Sequence, residues 1–171
     1  IFANPISIIT ARGHKPETIR RGMDIVISGT FSEDELSDML ENIQERLPET
    51  KDMDAQETLK KYLDSHEYHP VTSEIFAEKF GLKVGSASNP EHNKKIAFRD
   101  YVEKIINKTK EMVGTKYNKL SIGFSDDDLG NVKAIEGFIE TELKHEFPDV
   151  KFTVYDTSDG GNKKIVIKQV D

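Results

Sequence analysis

Three consecutive acidic residues, Asp126, Asp127 and Asp128, follow an apolar run at residues 120–124 that has the character of a β-strand. Carboxylates this close repel one another, and a hard cation relieves that repulsion; proteins typically hold Mg²⁺ through one or two carboxylates plus waters and phosphate oxygens. Acidic residues at the start of a helix also interact favourably with its dipole. The pattern therefore leaves metal binding and helix capping open, since one carboxylate can cap while another ligates.

A hydroxyl ends another apolar run near the start of the chain, where residues 8–13 read IITARG. The Thr10 hydroxyl, the backbone N–H groups of the turn and the N-terminus of the next helix would together make an anion site. The alternative is an ordinary threonine at a strand end, next to a surface arginine at position 12.

Lys94 and Lys95 lie in the first turn of a long helix that Pro90 opens. A cation at a helix N-terminus opposes the helix dipole, so this placement is mildly unfavourable unless an anion binds nearby. The alternative is that both lysines are simply solvated, as many are in a lysine-rich chain.

Sequence motifs of several other enzyme classes are absent. The chain has no Cys, which excludes disulfides, thiolate zinc sites and cysteine nucleophiles. It also has no HExxH motif, Walker A loop, GxGxxG loop or GxSxG elbow. His66 and His69 are three residues apart, but the predicted helix ends between them, which disfavours a shared metal site.

Apolar runs of strand character alternate with helical segments along the chain. We predict strands near residues 6–9, 68–71, 120–124, 152–155 and 165–167, the last two joined by a hairpin turn. This order predicts an α/β fold with a mostly parallel sheet covered on both faces, a helical insertion at about 32–65 and a C-terminal β-hairpin. In such sheets the working residues follow the carboxyl ends of the strands, where Thr10 and Asp126 both fall.

Composition narrows the class of protein further. The chain has 171 residues, enough for one domain with its own core, and a formal net charge of −7. A negative surface disfavours general binding to nucleic acid or to anionic membranes. No apolar run reaches the ~20 residues that span a bilayer, and the lack of Cys suits a reducing compartment, so we expect a cytoplasmic protein.

The order of the motifs resembles the second, third and fourth signature motifs of the haloacid dehalogenase (HAD) superfamily. These are TARG at residues 10–13, a lysine that opens a helix, and GFSDDD at residues 123–128. The TARG and FSDDD forms resemble a phage- and bacterium-associated branch of that superfamily. The resemblance covers essentially the whole chain and implies a single Rossmann-like domain, a three-layer sandwich, over residues 1–171.

The resemblance implies a role for each motif in phosphoryl transfer. Thr10 would donate a hydrogen bond to the transferring phosphoryl group, and Lys94 would neutralise its charge. Lys95 is the close alternative, and we prefer Lys94 because Phe98 and Val102 follow it at helical spacing.

The same resemblance implies the ligands around the phosphoryl group. Asp126 and Asp127 would hold Mg²⁺, with Asn131 as a supporting ligand. Arg12 and His14 would lie next to the pocket and contact the substrate.

One part of the HAD pattern is absent from the sequence. The family begins with an apolar strand that ends in Asp-x-Asp, whose first Asp attacks phosphorus and whose second is the general acid and base. Asp52 and Asp54 have this spacing, but no apolar strand precedes them; Asp156 and Asp159 lie at the hairpin turn. We therefore expect a segment upstream of Ile1 to supply the first central strand and the nucleophile.

These observations predict a Mg²⁺-dependent phosphohydrolase that cleaves phosphate monoesters through an aspartyl-phosphate. Its substrate would be a small phosphorylated molecule or the phosphorylated end of a polymer. The alternative is a HAD-like domain without catalytic activity that serves binding or interaction.

Overall fold

The computed structural model describes residues 6–11, 13–83, 89–113, 120–161 and 163–167. These residues form both helices and strands, with small parallel and mixed sheets, so the coarse α/β prediction is confirmed. The chain divides into two compact units, Ile1–Ser88 and Asn89–Asp171. The single domain expected over residues 1–171 stays a prediction. In the described part of the chain, no helix has both the length and the apolar character needed to cross a membrane.

The first unit contains one small parallel sheet and several helices. Strands β1 (Ser7–Thr10) and β2 (Glu67–Pro70) pair in parallel, with Ile9 opposite His69. The predicted strands at residues 6–9 and 68–71 are therefore confirmed to within one residue. In chain order the elements are β1 (Ser7–Thr10), α1 (Pro16–Thr30), α2 (Glu33–Arg46), a 3₁₀ turn (Pro48–Thr50), α3 (Ala55–Asp64), β2 (Glu67–Pro70) and α4 (Glu74–Lys79).

Local sequence signals explain where these helices begin. Pro16 is the first residue of α1, where its missing N–H has no helical partner to lose. The capping box predicted at Ser32 is confirmed, since the Ser32 side chain accepts from the Glu35 N–H and the Glu35 carboxylate accepts from the Ser32 N–H. Asp54 and Glu57 form a second box at the start of α3. Each box satisfies two backbone donors that would otherwise lack a partner.

The core of the first unit lies where α1, α2 and α3 meet. Helices α2 and α3 occupy the predicted insertion at about 32–65, and both turn an apolar face to α1. Burial of each large aliphatic side chain stabilises the unit by ~1.5–3 kcal/mol. The buried residues are Ile27, Met39, Ile43, Leu59, Tyr62 and Leu63.

The second unit contains a three-stranded mixed sheet. Strand β4 (Val150–Asp156) is central, parallel to β3 (Leu120–Asp126) and antiparallel to β5 (Lys163–Val166), so the predicted C-terminal hairpin is confirmed. Gly160 in the hairpin turn has φ 76°, a conformation that favours glycine. The elements are α5 (Pro90–Val113), β3 (Leu120–Asp126), α6 (Leu129–Phe138), a π-helical segment (Ile139–Leu143), α7 (Lys144–Glu146), β4 (Val150–Asp156) and β5 (Lys163–Val166).

Strand β3 turns one side to the core of the second unit and the other side outwards. Ile122 and Phe124 are buried, and the Phe98 ring of α5 contacts Phe124 edge-on at 5.5 Å between centroids. Ser121 and Gly123, on the opposite side of the strand, are exposed. This core fixes the carboxyl end of β3 against α5 and α6, which is where the predicted acidic residues lie.

Candidate functional site

Lys94 is buried in the first turn of α5, although a lysine there is normally solvated. Only 6% of the residue is exposed. Phe98 and Val102, one and two turns further along the helix, are also buried, so Lys94 lies on the core-facing side of α5. The helical spacing that favoured Lys94 over Lys95 therefore describes the helix correctly.

The Lys94 ammonium group meets the carboxylate at the end of β3. Nζ of Lys94 donates to Oδ2 of Asp126 at 2.7 Å, and the two side chains are 8% and 10% exposed. Removing two charges from water costs several kcal/mol per ion, and a close pair regains that energy only with good geometry and further hydrogen bonds. The environment of Asp126 provides those further bonds.

The second carboxylate oxygen of Asp126 accepts two hydrogen bonds from the start of α6. Oδ1 accepts from the backbone N–H of Asp128 at 2.9 Å and from Nδ2 of Asn131 at 3.2 Å. Burial alone would raise the pKa of Asp126, but the hydrogen bonds from Lys94, Asp128 and Asn131 and the charge of Lys94 lower it below its ordinary value. Asp126 is therefore an anion at neutral pH.

The neighbouring acidic residues have separate positions. Asp128 caps α6, because its Oδ1 accepts from the Asn131 N–H at 2.9 Å. Asp127 is exposed between the ion-paired residue and the capping residue. Helix capping, one of the two interpretations of the acidic run, therefore belongs to Asp128 and leaves Asp127 open to solvent.

A further carboxylate lies close to the N-terminus of α6. A Cβ atom at Gly130 would be 3.0 Å from Oδ1 of Asp128 and 3.7 Å from Oε1 of Glu91. The absence of a side chain at Gly130 thus leaves room between two carboxylates. Glu91 was not among the residues predicted from the sequence, because a single acidic residue in a first helical turn is ordinary.

The donor atoms at the end of β3 suit a hard cation. Carboxylate oxygens of Asp126 and Asp127 and the side-chain carbonyl of Asn131 are the ligand type that Mg²⁺ prefers. Oδ1 of Asp126 already accepts two hydrogen bonds and Oδ2 accepts one, so of their two lone-pair positions each, only Oδ2 has one left for a further partner. These ligand types would suit Mg²⁺, and Asp127 is the most exposed of the three residues.

Lys95 points to a different part of the second unit from Lys94. Its Nζ lies 5.9 Å from the centroid of the Phe138 ring, which Arg99 also approaches at 5.3 Å. Arg99 in turn pairs with Glu142 and Glu146. Lys95 thus borders a surface charge cluster, and Lys94 is the lysine that reaches Asp126.

The residues predicted in the TARG segment belong to the first unit. Thr10 is the last residue of β1, half-buried, and its carbonyl accepts from the Val71 N–H at 2.9 Å. His14 is exposed just before α1. Arg12 lies outside the described residues. In the same turn, the Thr72 hydroxyl donates to the Ala11 carbonyl at 2.7 Å, so β1 and the segment after β2 are joined beyond the ends of the strands.

Two histidines of the first unit are buried, which the sequence did not indicate. Nε2 of His69 lies 2.9 Å from a carboxylate oxygen of Glu67. Nε2 of His66 is buried and has no hydrogen-bond partner among the described residues. Burial lowers the pKa of His66 to about 4, so its ring is neutral at pH 7. His66 packs edge-on against Tyr62 at 4.3 Å between centroids, which is the contact of a core residue.

A cleft of about 440 Å³ lies between α1 and α3 of the first unit. Arg20, Asp24, Lys60 and Leu63 are among the residues that line it. Arg20 is already ion-paired with Asp64, so the cleft wall is electrostatically balanced. None of the site residues predicted from the sequence lines this cleft.

Comparisons with protein-family models, with curated proteins and with solved structures give no match for this chain.

Proposed function

We propose that the second unit carries the cation- and phosphate-binding part of a Mg²⁺-dependent phosphohydrolase site of the HAD type. The observation that supports this proposal is the buried contact between Lys94 and Asp126 at the carboxyl end of β3. Replacing a buried ion pair by apolar side chains is often neutral or stabilising, so stability alone is a weak reason to keep one. A function that requires charged groups at the end of a parallel strand explains the buried pair better than stability does.

In this proposal each side chain acts on the phosphate group of a monoester. Lys94 faces the phosphoryl oxygens and offsets their negative charge, while Asp126 holds its ammonium group in position. Asp126 and Asp127 hold Mg²⁺, with Asn131 supporting. The ion, when bound, would polarise the phosphoryl group and offset developing charge. The roles that the resemblance implies for Thr10, Arg12 and His14, which belong to the first unit, stay predictions.

The finer architecture that we propose is a Rossmann-like three-layer sandwich. Strands β3 and β4 are parallel, and the charged residues follow the carboxyl end of β3, as in other open α/β sheets. Among the described residues, β1 pairs only with β2, and β3 pairs only with β4. A strand edge buried without a partner costs on the order of 1–3 kcal/mol for each unpaired backbone group. These open edges favour pairing with a further strand.

We propose that this further strand supplies the attacking carboxylate. Asp52 is exposed in the turn before α3 and does not follow a strand. Asp156 ends β4, but its Oδ1 accepts from the N–H and the hydroxyl of Ser158 in the hairpin turn. Neither Asp52 nor Asp156 therefore combines a strand-end position with a carboxylate free of the local turn, and the proposal assigns Asp126 and Asp127, which follow β3, to the cation.

That same observation favours the second candidate, a HAD-like domain that binds without catalysis. The proposed substrate or ligand in either case is a small phosphorylated molecule or the phosphorylated end of a polymer. Binding requires only Lys94, the acidic residues and the start of α6. Turnover requires a nucleophile as well, and this difference separates the two candidates.

The test compares the chain of 171 residues with a longer version to which an apolar strand ending in Asp-x-Asp has been added at the N-terminus. Hydrolysis of an aryl phosphate with Mg²⁺ is measured for both, in matched preparations. We expect no turnover by the shorter chain and clear turnover by the longer one, lost when the first Asp of Asp-x-Asp becomes Asn. Robust turnover by the shorter chain that is lost in Asp52→Asn or Asp156→Asn would place the nucleophile elsewhere. Phosphate binding by the longer chain without turnover would favour the binding domain.

A further inference from the structure

One face of α1 is apolar and exposed. Gly22, Ile25, Val26 and Gly29 fall on a single side of the helix, because they are spaced by three, four and seven residues. Ile25 is 64% exposed and Val26 is 55% exposed. We call these four residues the α1 stripe.

The α1 stripe is separate from the face with which α1 packs into the first unit. Ile27 is buried and Met23 packs against the same core, on another side of the helix. One apolar face is enough to attach a surface helix to a domain. The exposed pair Ile25 and Val26 therefore gives α1 a second apolar face that the first unit does not use.

The two glycines of the stripe have no packing role within the described structure. A Cβ atom added to Gly22 or to Gly29 would meet no atom within 4 Å. A glycine inside a helix is less favourable than alanine by about 1 kcal/mol. Such glycines help when another backbone approaches the helix closely. Gly22 and Gly29 flank the exposed residues Ile25 and Val26. Together these four residues form a surface that a second helix can contact at short distance.

We propose that the α1 stripe binds the same stripe of a second copy of this chain, with the two helices antiparallel about a twofold axis. A twofold interface must be complementary to itself. An axis that passes between Ile25 and Val26 places the Ile25 of one copy against the Val26 of the other. The same axis places Gly22 against the second copy's Gly29. The order Gly, Ile, Val, Gly is thus symmetric under the pairing that we propose.

Charges at the two ends of α1 favour the antiparallel arrangement. Lys15 and Arg21 are exposed towards its N-terminus, with Glu17 between them, and Glu33 and Asp34 are exposed just beyond its C-terminus. Antiparallel pairing brings the more basic end of each copy to the acidic end of the other. A parallel pair would bring like charges together, which is unfavourable for a chain of net charge −7.

The first experiment measures association directly. Two single helical faces make a small interface compared with the ~1,200–2,000 Å² of stable complexes, so we expect a dimer that depends on protein concentration. Sedimentation velocity of the full chain should show a monomer–dimer equilibrium. Gly29→Leu should raise the dissociation constant by at least about tenfold. Because the space around Gly29 is open, thermal unfolding of this variant should be unchanged or shifted upwards.

A second experiment tests the geometry of the pair. The chain has no cysteine, so Ile25→Cys introduces a single thiol next to the proposed axis. Oxidation should convert this variant to a disulfide-linked dimer. Ile75→Cys is the matched control, because Ile75 is an exposed apolar residue of α4 outside the stripe, at 44% exposure, and should cross-link much more slowly.

Charge exchange gives a third, independent readout. Arg21→Glu should weaken the dimer, and adding Glu33→Arg should restore it, since antiparallel pairing brings the N-terminal end of one α1 to the C-terminal end of the other and parallel pairing does not. A monomer at all concentrations would overturn the proposal. A dimer that persists in Gly29→Leu, or equal cross-linking through Ile75→Cys, would assign association to another surface and overturn it as well.

Discussion

The ammonium group of Lys94 and the carboxylate of Asp126 lie 2.7 Å apart, and both side chains are at least nine-tenths removed from solvent. The pair joins the first turn of α5 to the end of β3 within the second unit. Its consequences for stability can be measured whether or not the site is catalytic.

Loss of one member of this pair should be costly. Lys94→Met or Asp126→Asn leaves the other charge buried without its partner, which typically costs ~3–5 kcal/mol. Urea unfolding should show this decrease for each single variant. The double variant should lose less than the sum of the two, because it contains no isolated charge. Lys95→Met is the matched control and should change the free energy of unfolding by less than about 0.5 kcal/mol.

Acid should destabilise the protein through Asp126 at low pH. The folded-state pKa of Asp126 lies below its ordinary value, so the unfolded chain binds the proton more readily. The stabilisation from Asp126 is present above the unfolded pKa of about 3.9 and is lost as the pH falls through the lower, folded pKa. Asp126→Asn should flatten the stability curve in that range. An equally steep curve in this variant would assign the acid sensitivity to other carboxylates.

His66 should contribute a second loss of stability at milder pH. Its pKa falls from an ordinary 6.5 to about 4 in the folded chain, so the unfolded chain binds the proton more readily. The free energy of unfolding is therefore unaffected by protonation of His66 above pH 6.5 and decreases as the pH drops from 6.5 to 4. Each pH unit is worth about 1.4 kcal/mol, which gives about 3 kcal/mol in total. His66→Phe should remove this slope in denaturant unfolding measured at each pH. His14→Phe should leave the slope intact, since His14 is exposed.

Mg²⁺ should raise the melting temperature if the acidic residues hold it. A ligand that binds only the folded state stabilises it in proportion to RT ln(1 + [L]/Kd). The double variant Asp126→Asn, Asp127→Asn should lose the Mg²⁺-dependent part of the shift, measured against NaCl of equal ionic strength. Asp128→Asn is the control, because Asn caps a helix about as well as Asp does. An unchanged response in the double variant would contradict metal binding at these residues.

Local signals in the sequence predicted most elements well. Ser32 with Glu35 located the start of α2, Pro90 located the start of α5, and the Asp159-to-Gly161 turn located the hairpin. These features depend on interactions between residues that are close together in the chain, so they can be predicted from the sequence alone. The extent of the sheets could not be predicted in this way, because it depends on which strands, distant in the sequence, pair with each other.

The candidate site was predictable in part for the same reason. Helical spacing behind Lys94 indicated which lysine faces the core, and the structure places that lysine on Asp126. The separate contacts of the three consecutive aspartates were not predictable, since three identical side chains in a row do not indicate which one caps the helix. Burial of His66 was likewise hidden, because one histidine after a helix fits a surface as well as a core.

The open side of β3 has a consequence for how the chain behaves in solution. Among the described residues this strand pairs only with β4, and its sequence LSIGFS contains no charge and no proline before Asp126. Natural edge strands usually carry such residues, because an unprotected row of N–H and C=O groups is a template for another chain. We therefore expect slow, seeded aggregation of concentrated samples with gain of β-structure. Ser121→Lys, on the exposed side of the strand, should delay it.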